Sequence, residues 1–219
     1  WVADTSHELK TPLAVLQAQI EAMQDGIRKP TPEHFEAMLR QVTSLKKLTQ
    51  DLADLAQAEA QQLKCYFAEI DPWAVVLQEV ENFKPKFEQA DLTISATGEH
   101  VKLQLDIDRF KQIMVNLLGN SIRYTEAGGE VQVHTIQDAD SWTVIVDDSP
   151  LGLSDEQIAR LGERFYRVDD SRTRSTGGTG LGLALSGKIA QALGGQLTFD
   201  HSPLGGLRCK LTFSKHTKV

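Results

Sequence analysis

The chain has 219 residues, enough for one large domain or two smaller ones, and its 41% apolar residues suffice for an ordinary core. A net charge of −7 argues against nucleic acid as the main partner, because neutralising phosphates requires a basic surface. Apolar residues never run for the roughly 18 positions that a membrane span needs, so we expect no membrane contact by this fragment.

Residues 1–62 have an almost purely helical pattern and are predicted to form a hairpin. The first helix runs to Gln24, and apolar residues recur along it at heptad spacing: Leu9, Leu13, Leu16, Ile20, Met23 and Ile27. Prolines and Asp25-Gly26 predict a loop over 25–32. A second helix follows, with an apolar stripe of Met38, Val42, Leu45, Leu48, Leu52 and Leu55. One hairpin cannot bury both stripes, so we expect a dimeric four-helix bundle.

The first helix also carries a histidine away from this heptad seam. At roughly 100° per residue, His7 lies about 160–200° from the seam, on the face turned to solvent. Glu8 is its neighbour, and Thr11 follows one turn later on the same face. Pro12 should bend the helix near Glu8. These residues display a nucleophile, a carboxylate and a hydroxyl together, although a solvated histidine without a role remains an alternative on this motif alone.

The pattern from residue 63 to 219 mixes strands with helices, which predicts a second domain with an α+β two-layer sandwich. Helices are predicted at 72–89, 107–124, 154–161 and 179–193. Strands are predicted at 66–71, 92–97, 101–105, 130–137, 141–147, 196–200 and 207–213. The polar, basic segment 171–178 is expected to be mobile.

One face of the predicted helix 107–124 is rich in amides. Asn116 and Asn120 share that face with Gln112 and Arg123. Asparagine is a poor helix former, and its amide oxygen can complete the coordination of Mg²⁺. Arg123 adds a fixed positive charge that can bind phosphate. An ordinary polar helix face is an equally good interpretation of these residues in isolation.

Two further clusters suggest a ligand. Asp148 directly follows the apolar strand predicted at 141–147. A carboxylate at that position can accept hydrogen bonds from an amine such as that of adenine, and a simple turn is the alternative. Residues 177–184 form a glycine-rich loop that enters an apolar helix, so it either binds phosphate or serves as a flexible linker. Its late position argues against a dinucleotide fold, and no lysine follows the glycines as in a Walker loop.

Taken together and in this order, the clusters resemble the sequence boxes of the sensor histidine kinases of two-component systems. The segment Ser6-His7-Glu8-Leu9-Lys10-Thr11-Pro12 is similar to their phosphoacceptor box. The other boxes correspond to residues 116–125 (N box), 148–152 (first glycine box), 163–167 (F box) and 178–183 (second glycine box). Within the family, segments 123–125, 163–167 and 201–206 are most similar to the BaeS-type envelope-stress sensors.

The resemblance implies a dimerisation and phosphoacceptor domain at 1–62 and a Bergerat-type ATP-binding domain at 63–219. It implies that His7 attacks the γ-phosphorus of ATP, that Glu8 takes the imidazole proton, and that Thr11 helps remove phosphate from a regulator. Asn116 and Asn120 would hold Mg²⁺ and phosphates, and Asp148 would bind the adenine amine. The remaining nucleotide contacts would come from Arg123, Tyr124, Gly152, Arg164, Arg167, Gly178, Thr179, Gly180, Leu181, Gly182 and Leu183, with a lid over 153–178.

The resemblance also implies the partners, namely a second copy of the chain and the receiver domain of a response regulator. The chain begins inside a helical pattern without a methionine, so we expect a fragment of a longer protein, and the resemblance implies the cytoplasmic portion of a bacterial inner-membrane sensor. Cys65 and Cys209 show no metal-ligand spacing and are expected to be reduced thiols.

Two departures from the family pattern stand out. Pro150 replaces the first glycine of the family's Asp-x-Gly-x-Gly pattern, which predicts a stiffer turn. Gly162 stands where the F box has a large apolar residue, and the missing anchor is worth about 1.5–3 kcal/mol if buried. These departures keep open a degenerate dimerisation module, and a chaperone- or topoisomerase-like ATPase of the same superfamily is a second alternative. Such ATPases usually carry glutamate at the position of Asn116 and lack the box around His7.

Overall fold

The computed structural model describes residues 2–168 and 179–216, with side chains from Leu9 onward. The segment 171–178, predicted to be mobile, and the second part of the predicted lid lie outside the described residues. The chain begins with two helices, α1 (Val2–Gln24) and α2 (Pro32–Glu59). Thr31 caps α2 by accepting a hydrogen bond from the backbone N–H of His34, and Pro32 occupies the first turn. The predicted hairpin is confirmed.

The two helices leave a row of large apolar side chains in contact with water. Leu13 on α1 is 52% exposed and Leu39 on α2 is 65% exposed. Ile20, Phe35 and Val42 belong to the same row, whereas Val15 is also exposed but lies on another face of α1. By contrast, the C-terminal half of the α2 stripe is buried at Leu48 and Leu55, which belong to the main hydrophobic core. The α2 stripe therefore divides into an open half and a covered half.

Residues beyond α2 form a mixed sheet under a layer of helices. The strands are β1 (Ala68–Ile70), β2 (Thr93–Thr97), β3 (Leu103–Leu105), β4 (Glu130–Gln137), β5 (Ser141–Asp148), β6 (Gly195–His201) and β7 (Leu207–Ser214). Five of them form one sheet in the order β2-β4-β5-β7-β6, in which only β2 and β4 are parallel. Strands β1 and β3 form a separate antiparallel pair.

The helical layer consists of α3 (Pro72–Gln89), α4 (Ile107–Tyr124) and α6 (Gly182–Ala192), while the short α5 (Asp155–Arg160) lies beside β6. Asp71 and Asp106 cap α3 and α4 by accepting backbone hydrogen bonds from their first turns. Phe110 of α4 packs between Trp142 of β5 and Phe213 of β7, at ring-centroid distances of 6.2 and 6.0 Å. This arrangement confirms the predicted α+β two-layer sandwich.

Most element boundaries fall within two residues of the sequence predictions, as is usual for fraying ends. The largest difference is at α6, which was predicted to begin at residue 179 but begins at Gly182. The hydroxyl of Thr179 accepts a hydrogen bond from the backbone N–H of Leu181 at 3.3 Å. This local turn competes with the helix for the same backbone and delays its start.

The covered half of α2 packs on the helices of the second half of the chain. Helix α2 contacts α6, and Asp54 of α2, only 5% exposed, faces α4. The Asp54 carboxylate accepts hydrogen bonds from Arg109 at 3.2 Å and from Gln112 at 3.0 Å. At the end of α2, Glu59 forms an ion pair with Arg164. We call the contacts of Asp54 with α4 the Asp54 clasp.

Candidate nucleotide site

The carboxyl group of Asp148 lies at the end of β5 and is 7% exposed. Its Oδ1 atom accepts a hydrogen bond from the backbone N–H of Leu207 at 2.7 Å. Its Oδ2 atom accepts one from the hydroxyl of Ser121 on α4 at 3.4 Å. A Cβ on residue 206 would collide with this carboxyl group, so the close approach of the β7 strand start depends on Gly206.

Burial raises the pKa of Asp148 to about 6, against the lowering effect of the hydrogen bonds from Leu207 and Ser121. The neighbouring Asp147 points to the other face of the sheet, because side chains alternate along a strand. There it binds Arg208 through two hydrogen bonds of 2.7 Å. The structure therefore separates the two aspartates into a buried acceptor, Asp148, and a structural ion-pair partner, Asp147.

The amide side chains of α4 lie on another face of the helix, with Asn116 about 140° around the axis from Ser121. Asn116 donates hydrogen bonds from Nδ2 to the carbonyl oxygen of Gly182 at 3.3 Å and to the Ser186 hydroxyl at 3.2 Å. Asn120 and Arg123 are half-buried, and Tyr124 is exposed. Gln112, predicted to share this face, instead belongs to the Asp54 clasp. The structure thus brings Asn116 to the start of α6 and turns Gln112 toward α2.

The donor set of this face suits a magnesium ion shared with phosphates better than a cage made by the protein alone. Within residues 2–168 and 179–216, no three His, Cys, Asp or Glu side chains are grouped to hold a metal ion. Amide oxygens of Asn116 and Asn120 are the hard ligands that Mg²⁺ prefers, and Mg²⁺ commonly takes its other ligands from phosphates and water. The residues present therefore fit the cation that the sequence predicted.

The described part of the second glycine box, Thr179 to Leu183, forms the entry to α6. No side chain caps the start of this helix, so the backbone N–H groups of its first turn have no partner from a cap. Such a helix start favours a phosphate. Leu181 is fully buried and its side chain belongs to the hydrophobic core. Gly180 contacts the F box by accepting a hydrogen bond from the Phe165 N–H at 3.0 Å. Gly178 lies outside the described residues.

The F box supplies two arginines with different surroundings. The Arg164 guanidinium forms the ion pair with Glu59 of α2. The Nε and Nη2 atoms of Arg167 are buried and have no hydrogen-bond partner among the residues described. A buried donor without a partner costs free energy, which an anion would recover. Arg167 is therefore the stronger candidate for binding a phosphate in the form of the chain seen here.

The two departures from the family pattern have local explanations. Gly162 has a φ of 89°, a left-handed conformation that large side chains rarely adopt, so the missing anchor goes together with a different backbone. The carbonyl oxygen of Pro150 accepts a hydrogen bond from the Glu126 N–H at 3.1 Å, which ties the turn to the end of α4. Gly152 lies next to the carbonyl oxygen of Gly205.

The predicted phosphoacceptor residues lie on α1. His7 and Glu8 belong to this helix, and their side chains lie outside the described part of the chain. Thr11 is exposed on the next turn, and the helix continues through Pro12.

Sequence reasoning missed the two serines that support the site. Ser121 donates to Asp148 and Ser186 accepts from Asn116, and both are buried. The signal for Ser186 was present in the sequence, since a polar residue stands there among the apolar Ala184, Leu185 and Ile189. The Asp54 clasp had no such signal. Its partners Arg109 and Gln112 are separated from Asp54 by 55 and 58 positions along the chain, and contacts at such distances leave no periodic pattern.

Two known protein families match parts of this chain. Residues 1–61 match the His Kinase A (phospho-acceptor) domain. Residues 105–217 match the family described as histidine kinase-, DNA gyrase B- and HSP90-like ATPase.

The chain is also similar to individual proteins that are named histidine kinases. The Escherichia coli signal transduction histidine-protein kinase BaeS is 40% identical over 94% of this chain and 44% of its own length. The solved structure of the Acinetobacter baumannii histidine kinase AdeS covers 96% of this chain and 98% of its own, with 28% identity and a TM-score of 0.83. Histidine kinase ThkA, solved in complex with the response regulator protein TrrA, covers 98% of this chain and 60% of its own, at 18% identity and a TM-score of 0.76.

The chain spans less than half the length of the curated relatives that it matches, for example 44% of BaeS and 47% of the Bacillus subtilis kinase YkoH. Among the residues that the structure describes, no helix combines the length and apolar character needed to cross a membrane.

Proposed function

This chain belongs to the sensor histidine kinases, and we propose that it phosphorylates His7 with ATP and then passes the phosphate to an aspartate of a response regulator. The observation that carries the proposal is the bridging position of α4. Its Ser121 reaches the buried carboxyl of Asp148, and its Asn116 reaches the uncapped start of α6. These two anchors are five residues apart, about 7.5 Å along the helix axis. Helix α4 thus contacts both the acceptor for a base, Asp148 on β5, and the start of α6, where phosphates would bind.

At the base end, Asp148 accepts a hydrogen bond from the adenine amine, and Tyr124 and Gly152 border the nucleotide. At the phosphate end, Asn116 and Asn120 hold Mg²⁺, which when bound neutralises part of the phosphate charge. Arg123 and the backbone of residues 178–183 complete the phosphate contacts.

Arg167 meets the charge of the γ-phosphate with the guanidinium atoms that lack a partner among the described residues. Arg164 contributes only when its ion pair with Glu59 opens.

The proposed chemistry consists of two phosphoryl transfers, first from ATP to His7 on α1 and then from His7 to an aspartate of the regulator. A neutral imidazole nitrogen of His7 attacks the γ-phosphorus, the P–N bond forms, the bond to the β-phosphate oxygen breaks, and ADP leaves. Glu8 takes the proton of the other ring nitrogen as the imidazole becomes positive. The phosphohistidine then gives its phosphoryl group to the aspartate of a receiver domain. Thr11 orients a water molecule for the later removal of that phosphate.

We propose a homodimer in which the open apolar row of α1 and α2 is covered by a second hairpin, giving a bundle of four helices. The phosphoacceptor unit is residues 1–62 and the ATP-binding unit is residues 63–219, in keeping with the family matches. The receiver domain as partner is supported by the ThkA complex with TrrA. We place the chain in the cytoplasm, where ATP is available, as part of an inner-membrane sensor.

The test is incubation of the protein with ATP labelled at the γ-phosphate and Mg²⁺, followed by separation of protein-bound label. We expect acid-labile, alkali-stable phosphate on the wild-type chain and none on His7→Gln, which should still bind ADP because residue 7 lies outside the nucleotide site. Released phosphate without labelled protein would indicate a chaperone-like ATPase. No nucleotide binding at all would indicate a dimerisation module, and label on His7→Gln would show that another residue is the acceptor.

A further inference from the structure

The amide of Asn116 is held in one orientation by two oxygen atoms of α6. Both are hydrogen-bond partners of Nδ2, the Gly182 carbonyl at 3.3 Å and the Ser186 hydroxyl at 3.2 Å. A carbonyl oxygen can only accept, so rotating the amide by 180° would place Oδ1 against another acceptor. The side chain is therefore fixed with its amino group toward α6.

This orientation places the amide oxygen beside the first turn of α6, where neither of the two hydrogen bonds uses it. A Cβ placed on Gly182 would have three nearest neighbours, all of them atoms of the Asn116 amide, with Oδ1 at 3.8 Å. The oxygen that could bind a cation thus borders the same space as the first turn of α6. The two hydrogen bonds of Nδ2 and the position of Oδ1 beside Gly182 are parts of one arrangement.

Ser186 has no other evident reason to be polar. It is completely buried, and its neighbours on α6 include the buried Leu185, Ile189 and Ala190. Serine is a poorer helix former than alanine, and burying a hydroxyl costs free energy unless it is hydrogen-bonded. An alanine would therefore suit this helix better if the hydroxyl were not needed.

We propose that Ser186 is a positioning residue that orients Asn116 so that its Oδ1 faces the cation bound with the nucleotide. This inference rests on the proposed function, in which Asn116 holds Mg²⁺. Ser186 itself touches neither the nucleotide nor the metal ion; it acts by accepting one N–H of the amide, leaving the longer bond to Gly182 as the other restraint. Its loss should weaken the contribution of Mg²⁺ to binding and leave the adenine end unchanged.

The test measures ADP affinity by calorimetry twice, once with Mg²⁺ and once with a chelator, so that no catalytic step is involved. For Ser186→Ala we expect an affinity about five- to tenfold lower in Mg²⁺, the loss expected for one hydrogen bond, and an unchanged affinity in the chelator. The matched control is Ser121→Ala, another buried serine, which acts on Asp148 at the base end. The Ser121→Ala variant should change the ADP affinity by the same factor with and without Mg²⁺.

A double-mutant cycle distinguishes positioning from a general packing role. If Ser186 acts through Asn116, Ser186→Ala should have no further effect on the Mg²⁺-dependent affinity of Asn116→Ala. Equal weakening in Mg²⁺ and chelator, or additive losses in the double variant, would overturn the positioning role while leaving the nucleotide site intact. A wild-type protein that binds no ADP, or that gains nothing from Mg²⁺, would instead overturn the proposed site and the positioning role together.

Discussion

Replacing Asp148 with asparagine should stabilise the nucleotide-free protein at neutral pH and weaken adenine binding, two effects of opposite sign. The carboxyl group is 7% exposed, and burial raises its pKa to about 6. At pH 7 the folded chain therefore holds a charge in surroundings that favour the neutral group. In asparagine, Oδ1 can accept the hydrogen bond from the Leu207 N–H, and the amino group can donate to the Ser121 hydroxyl, which accepts as well as donates, without that charge.

The magnitude follows from the difference between the ordinary carboxyl pKa of 3.8 and the folded value of about 6. Each unit corresponds to about 1.4 kcal/mol, so the ionised carboxylate destabilises the fold by about 3 kcal/mol. Because the folded-state pKa is the higher one, the group is protonated in both states below about pH 4 and the cost vanishes there. The cost grows as the pH rises through about 4 to 6, with roughly half present at pH 5, and is complete above that range.

Thermal unfolding of the nucleotide-free protein and calorimetry with ADP and ATP measure the two effects. We expect the unfolding midpoint of Asp148→Asn to exceed that of the wild type by about 6–12 °C at pH 8, with a smaller difference at pH 5. Its affinities for ADP and ATP should both fall about tenfold, because the adenine amine loses a charged acceptor. A variant that is less stable than the wild type at pH 8, or that binds ADP equally well, would refute the reasoning.

Three further variants test other parts of the chain. Asp54→Ala should raise the rate of backbone amide hydrogen exchange in residues 48–59 about tenfold or more, because Arg109 and Gln112 on α4 lose a buried carboxylate partner. The control Asp51→Asn should leave this rate unchanged, because Asp51 pairs with Lys47 of the same helix. Equal exchange in wild type and Asp54→Ala would contradict the clasp. Thr11→Ala should keep autophosphorylation and phosphotransfer but slow the stimulated dephosphorylation of a regulator about tenfold; loss of all activities together would indicate only a helix-stabilising hydroxyl. Asn120→Ala should weaken ATP binding about tenfold with partial rescue by excess Mg²⁺, and wild-type affinity at every Mg²⁺ concentration would exclude a role at the cation.

Elements whose boundaries depend on local chemistry could be predicted from the sequence. Helices α3 and α4 begin and end at the predicted residues, because Asp71-Pro72 and Asp106 are strong caps and the apolar periodicity is clear. The turn at Thr179 was missed because a side-chain hydrogen bond there competes with a pattern that reads as helical. Local signals thus determine most of the fold and fail where two local choices are close in energy.

Sequence reasoning proposed groups that would contact a ligand and missed the residues that hold those groups in place. Asp148 and Asn116 could be predicted because a carboxylate at a strand end and paired amides on a helix are unusual in sequence. Ser121, which holds Asp148, lies 27 positions away along the chain. The clasp between Asp54 and α4 depends on how two folded units meet, which no periodicity records.

The position of β7 within the sheet has a consequence for how the protein is made. This strand pairs with β5 on one side and β6 on the other, although it comes after both in the chain. During synthesis, β6 therefore has no neighbour in the sheet until residues 207–214 have left the ribosome. The α1–α2 hairpin needs only contacts between adjacent segments and can form early. A chain cut short before residue 207 would lose an inner strand rather than an edge, and with it the backbone N–H of Leu207 that holds Asp148.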